Sequence, residues 1–150
     1  VIIHGDGTNL WTLTHNSDFA KGFVGLIGNP VALGEAFHIT SDESVTWNQV
    51  YQIVADRLNV PLHAYHVSTD FLSAVNPPHD YWGSLMGDKA NSVVFDNTKL
   101  KKAVPGFHAT VSVAEGIANT VDYVLAHPQC GSHGKCHAGG LRRGRLLRGG

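Results

Sequence analysis

The stretch His4–Ala20, HGDGTNLWTLTHNSDFA, decides how this chain is read. Val1-Ile2-Ile3 ahead of it is a short apolar strand. Gly5-Asp6-Gly7 supplies residues that tolerate positive φ, the requirement of a hairpin turn. Leu10 to Thr14 alternates as a returning strand should. Ser17 or Asp18 then caps a helix in which Phe19, Phe23 and Leu26 recur at helical spacing. Gly28-Asn29-Pro30 ends that helix, since Gly takes the left-handed position and Pro cannot continue it.

Working outward, Glu35–Thr40 reads as a strand and Ser41-Asp42-Glu43 as the loop after it. Thr46 and Gln49 form a capping box, with Val45 and Val50 at the positions of a hydrophobic staple. Val50, Ile53, Val54 and Leu58 stripe the helix that follows. Leu62–Val67 alternates as a strand, and residues 68–76 form a short helix capped by Ser68 or Thr69. Asn76-Pro77-Pro78-His79 interrupts it. Tyr81–Gly87 is an apolar, Gly-broken, irregular or helical segment, and Ser92–Phe95 is a short strand. Asp96 caps a short helix stopped by Pro105-Gly106. Ser112 and Glu115 make a second capping box for a last helix striped by Val113, Ile117, Val121 and Val124. Helices and strands mixed in this order, with short connections, are the signature of an α/β unit.

The length of 150 residues suits one domain, with 43% hydrophobic and 15% charged residues. No run approaches the roughly 18 apolar residues of a membrane helix, and no signal peptide is visible. Val1 is not an initiator Met, which points to a fragment or a processed product. The net charge of −1 hides an asymmetry. Five of the eleven basic residues, and none of the twelve acids, lie beyond Pro128. The acidic body lacks the electrostatic footprint of a nucleic-acid binder. Both cysteines, Cys130 and Cys136, fall in the tail, so no disulfide holds the body and a reducing compartment is expected. The chain therefore divides into residues 1–128 and a Gly/Arg-rich tail, 129–150. The Gly-Arg-Leu repetition in the tail has no helical or strand period and is read as disordered.

Motifs in order along the sequence resemble the C-terminal, substrate-binding portion of the NAD-dependent epimerase/dehydratase family, the extended short-chain dehydrogenases/reductases. Gly5-Asp6-Gly7 and Asp18 match its turn and helix start, with His15 at a position where His is common there. Trp11, Leu13 and Asn16 depart from its Arg, Phe and Val. Gly34–Ser41 resembles its next strand and loop, and Thr46–Leu58 its next helix. Asp96-Asn97-Thr98-Lys99-Leu100 matches its Asp-x-Ser/Thr-Lys pattern. Glu115-Gly116-Ile117 with Thr120-Val121 resembles its final helix. The resemblance spans about residues 1–128. It implies part of a Rossmann-type fold, with short strands alternating with helices, lacking the dinucleotide-binding half. It also implies a cytoplasmic parent enzyme using NAD or NADP on a small-molecule substrate. Strand 35–40 would then be an exposed edge, open to self-association.

The absences shape the expected chemistry. No Gly-x-Gly-x-x-Gly run follows a strand, so no cofactor-binding residue is assigned and none of the dinucleotide is expected to bind this chain alone. The family's chemistry uses Tyr and Lys at i, i+4. Four residues after Tyr51, Tyr65, Tyr81 and Tyr123 stand Ala55, Thr69, Leu85 and His127, so no catalytic residue is assigned. The candidate substrate-binding residues are Trp11, His15, Tyr81 and Trp82. An Arg in place of Trp11 would suit a diphosphate through its planar fork. Trp11 is either a pocket wall for a less charged substrate or an aromatic packed over the hairpin. His15 either lines a pocket or is hydrogen-bonded beside the helix start. Asp18 reads as a cap or first-turn acid, Trp47 as a packed residue, and Lys99 as a solvated helix position. Cys130, His133, Cys136 and His137 are zinc-type ligands, but their spacing matches no common finger and no metal site is assigned. The rival class is a non-enzymatic binding module, either a free-standing small α/β domain or an RNA-associated one using its basic tail.

Overall fold

The computed structural model describes residues 1–75 and 81–128. The Pro-rich interruption at 76–80 and the whole tail with its Cys/His cluster lie outside the described residues. The chain is a mixed α/β structure in which short strands form two separate pairs. β1 (Ile2–His4) runs parallel to β4 (Tyr65–Val67), with Ile3 opposite His66. β2 (Leu10–Thr12) runs antiparallel to β3 (Ser44–Thr46), with Trp11 opposite Val45. The Gly5-Asp6-Gly7 turn is thus not a hairpin. Gly5 and Gly7 do adopt φ of +61° and +71°, but the turn hands the chain from one strand pair to the other. Asn48 holds it: its amide donates to the Asp6 carbonyl at 3.0 Å, and its own backbone N–H donates to the Gly7 carbonyl. Both expected strand partners were wrong because pairing across 32 to 63 residues leaves no trace in a local pattern.

Two further strand expectations are corrected. Glu35–Thr40 carries no ladder. Side chains tie it down instead: Asn97 Nδ2 donates to the Thr40 carbonyl at 2.8 Å, Lys99 pairs with Glu35 at 2.6 Å, and His38 packs edge-on to Phe95. Of Ser92–Phe95, only Val93 makes a bridge, to Trp11. The Lys99 ammonium also lies 4.8 Å from the Phe37 ring centre, so it fastens this segment to the helix that carries it, α4 (Thr98–Ala103).

Helix α1 (Asn16–Leu26) is capped by His15, not by Ser17 or Asp18; the His15 side chain accepts from the Ser17 N–H. Its packing is the reverse of its stripe. Phe19 and Phe23 stack on each other at 6.0 Å, each about half exposed, while Asp18 and Gly22 are the buried residues. A Cβ at Gly22 would stand 2.6 Å from Ile39 Cγ2 and 3.1 Å from Phe107, and one at Gly25 would stand 2.5 Å from Val104 Cγ1. The helix backbone itself therefore approaches the core. Asp18 is fully buried among the donors of residues 110–111: Thr110 N–H at 3.1 Å, Val111 N–H at 2.9 Å and the Thr110 hydroxyl at 3.1 Å. Lys21 Nζ completes the set at 2.7 Å. Burial alone would raise its pKa, but these bonds outweigh that and hold the carboxyl well below the usual carboxylate range.

The remaining helices follow their local signals more closely. α2 (Trp47–Leu58) begins on the expected capping box, with Thr46 Oγ1 accepting from the Gln49 N–H and Gln49 Oε1 accepting from the Thr46 N–H. α3 (Thr69–Val75) follows β4 directly. Trp82–Lys89 is a π-helical segment. α4 is preceded by Asp96, whose carboxylate accepts the Thr98 N–H at 2.8 Å. At α5 (Val113–Ala126) the Ser112 half of the second box is present, and Glu43 Oε2 accepts the Val113 N–H at 2.7 Å. The α2 and α5 stripes face each other, and Ile3 and Leu100 are the fully buried apolar residues.

Candidate functional site

The four candidate residues fall in two places. Trp11 lies half-buried on β2, in a cluster that local sequence patterns did not reveal. Its ring centre is 5.8 Å from that of Trp47, the first residue of α2, and Trp47 is 5.5 Å from His4 in an edge-on arrangement. The Lys89 ammonium stands 5.9 Å from the Trp11 ring. Trp11 is therefore packed, but against Trp47 rather than over a hairpin. Tyr81 and Trp82 open the π-helical segment that ends at Lys89. Tyr81 is half-buried, and Trp82 is two-thirds exposed.

Hydrogen bonds stitch that segment to β2. Asn9 Nδ2 donates to the Ala90 carbonyl at 2.7 Å, and the Leu10 N–H donates to Ser92 Oγ at 3.0 Å. The Val93 N–H donates to the Leu10 carbonyl at 2.9 Å. These bonds span some 80 residues of sequence and bring Lys89 to Trp11.

His4 was missed as a site residue. It ends β1, immediately before the glycine turn, and is 9% exposed. Both of its ring nitrogens, and Trp47 Nε1, are buried without a hydrogen-bond partner among the described residues. Burial, followed by the Lys89 charge, pushes the His4 pKa down, so the ring is neutral at pH 7. The only sequence signal available was a polar residue at the end of an apolar strand.

His15 lies elsewhere. It lines a cavity of about 540 Å³ between the start of α1 and the facing stripes of α2 and α5. Val50 and Val54 form one wall, and Ile117 and Val121 the other. The structure thus separates His15 from Trp11 and keeps Trp11 with the segment that begins at Tyr81.

Among the described residues, no cluster of His, Cys, Asp and Glu is arranged to hold a metal ion. Among the described residues the strand-to-helix junctions are Leu13–His15, Thr46–Trp47 and Val67–Thr69, and none of these contains a glycine. They do not fit a dinucleotide, whose pyrophosphate needs backbone N–H groups brought close by glycine at such a turn. No described helix is long and apolar enough to cross a membrane.

No protein-family model matches the sequence, and no curated protein matches it. Solved structures do. UDP-glucuronic acid 4-epimerase from Bacillus cereus, in complex with NAD, superposes with a TM-score of 0.62 at 17% identity, covering 83% of this chain and 34% of the epimerase. dTDP-glucose 4,6-dehydratase from Streptomyces venezuelae, with NAD bound, superposes with a TM-score of 0.60 at 22% identity, covering 86% and 35%. RMD from Pseudomonas aeruginosa, complexed with NADPH, gives 0.55 at 13% identity, covering 81% and 34%. The chain spans about a third of the length of these structures. Its fold is that of part of an extended short-chain dehydrogenase/reductase.

Proposed function

We propose that this chain is the substrate-side portion of an NAD(P)-dependent oxidoreductase of the epimerase/dehydratase type and is not catalytically competent alone. The observation that carries the reading is the fold match, which takes in most of this chain but a third of each NAD- or NADPH-bound enzyme. In this reading residues 1–128 form the substrate-side unit of a cytoplasmic protein, and the nicotinamide is held by other parts of the parent. Trp11, Tyr81 and Trp82 wall the substrate site, while His15 lines a separate cavity.

The stitching of β2 to residues 90–93 supports a shared wall, because it fixes Trp11 relative to the segment that starts at Tyr81. Trp11 has no guanidinium fork for a diphosphate, and Lys89 beside it is a single point charge. The substrate is accordingly less charged than a nucleotide sugar.

Calorimetric titration of the chain with NAD, and then with UDP-glucuronic acid, tests both parts. The reading expects no binding of NAD and millimolar or weaker binding of UDP-glucuronic acid. Tight NAD binding would refute the division of labour. Tight UDP-glucuronic acid binding would refute the role given to Trp11.

The second reading is a binding module that takes RNA through the basic tail, favoured by the concentration of five basic residues and no acid after Pro128. Salt-sensitive binding of poly(U) that disappears on deleting residues 129–150 would support it.

A further inference from the structure

The cavity at His15 has features that the substrate-wall reading does not use. None of its lining residues carries a formal charge. Its volume of about 540 Å³ falls within the ~300–1,000 Å³ typical of small-molecule sites. The walls are branched aliphatic side chains from α2 and α5, so the cavity favours a molecule with an aliphatic body over a flat polar one.

Most polar groups at its edge are already engaged. Ser112 Oγ accepts the Glu115 N–H, the Thr120 hydroxyl donates to the Gly116 carbonyl at 2.9 Å, and Glu43 takes the first N–H of α5. With that acid at the start of α5, an anionic ligand is disfavoured there.

Two lining side chains differ: Asn16, which is exposed and whose amide makes no hydrogen bond among the described residues, and His15. The His15 Nδ1 accepts the Ser17 N–H at 3.3 Å and meets Ser17 Oγ at 2.8 Å. In the neutral ring that assignment puts the proton on Nε2. Nε2 has no hydrogen-bond partner among the described residues. The adjoining Cδ2 lies against α5 at Gly116, where a Cβ would be 3.4 Å away.

We infer that this cavity binds a small neutral molecule with an aliphatic or alicyclic body and one carbonyl-type acceptor, which takes the His15 Nε2–H. The site is distinct from the Trp11 wall, and neither inference depends on the other.

Methyl-resolved NMR of the full 150-residue chain, titrated with menthone, p-menthane and octanoate, tests it. Menthone is expected to shift the Val54, Ile117 and Val121 methyl signals saturably, and to bind about 5–10-fold more tightly than the hydrocarbon, the worth of one neutral hydrogen bond. His15→Phe should bring menthone down to the level of p-menthane. Val54→Phe should abolish the shifts for both while the chain still melts cooperatively. If Val54→Phe does not fold, Val121→Leu provides a milder filling and should weaken both ligands. The inference is overturned if no ligand gives saturable shifts, if octanoate binds best, or if His15→Phe leaves the preference for menthone intact. None of these outcomes touches the NAD and UDP-glucuronic acid titrations that test the reading of Trp11.

Discussion

Replacing Asp18 by Ala should be among the most damaging single changes outside the apolar core. The carboxylate accepts from the Thr110 N–H, the Val111 N–H, the Thr110 hydroxyl and Lys21 Nζ, all within 3.1 Å. Alanine leaves those donors without their acceptor. A buried donor left unsatisfied costs about 1–3 kcal/mol. Thr110 is exposed, so water recovers part of its share. The sum comes to about 2–4 kcal/mol. Asparagine keeps one oxygen for the two backbone N–H groups but turns the other, which accepts from half-exposed Lys21 and the Thr110 hydroxyl, into an amide donor, which should cost about 1–2 kcal/mol.

The assay is urea unfolding followed by tryptophan fluorescence, with ΔΔG taken from the midpoints at constant slope. The pH dependence gives a second readout. The folded pKa of Asp18 lies below its ordinary value of 3.8. Its contribution is therefore fully present above that value and is lost as pH falls through the folded pKa. Wild type should lose stability more steeply than Asp18→Asn below about pH 4. An alanine variant costing under about 1 kcal/mol, or one no worse than asparagine, would refute the reasoning that these bonds hold α1 to residues 110–111.

Other perturbations follow from the same structure. Gly22→Ala gains up to about 1 kcal/mol of helix propensity but forces a Cβ to 2.6 Å from Ile39. A net loss of about 1–2 kcal/mol is expected by thermal melting. His4→Phe removes two buried unpaired nitrogens and should raise stability by about 1 kcal/mol at pH 7. Because the folded His4 pKa is lowered from 6.5, wild type loses stability as pH falls through 6.5 toward that lowered value, and the variant should lose less, as urea midpoints at pH 7 and 5 will show. Thr46→Ala should cost about 1 kcal/mol through the lost cap of α2, read from the same midpoints.

How much of this was legible depended on range. Thr46 with Gln49, and Ser112 before α5, act within one helical turn, so their roles could be read directly. The apolar stripes of α2 and α5 were also legible, and the structure sets them face to face. Gly5-Asp6-Gly7 signalled a turn correctly, but turn chemistry does not name the strand that pairs next. β1 found Tyr65–Val67, and β2 found Ser44–Thr46. Asp18 looked like a first-turn acid, because its partners at Thr110 and Val111 are more than 90 residues away. His4 was invisible for the same reason: nothing near it in sequence announces Trp47 or Lys89. Among the candidate residues, Trp11 and His15 sat four positions apart on paper, yet they belong to different neighbourhoods once β2 gives way to α1.

The inverted packing of α1 changes what substitution would teach about this chain. On most helices the bulky apolar positions are intolerant and the small ones forgiving. Here Phe19 and Phe23 stand at the surface, while Gly22 and Gly25 meet Ile39, Phe107 and Val104. A saturation scan along α1 should therefore show its sharpest intolerance at two positions with no side chain at all, where the specification is a shape that must be left empty.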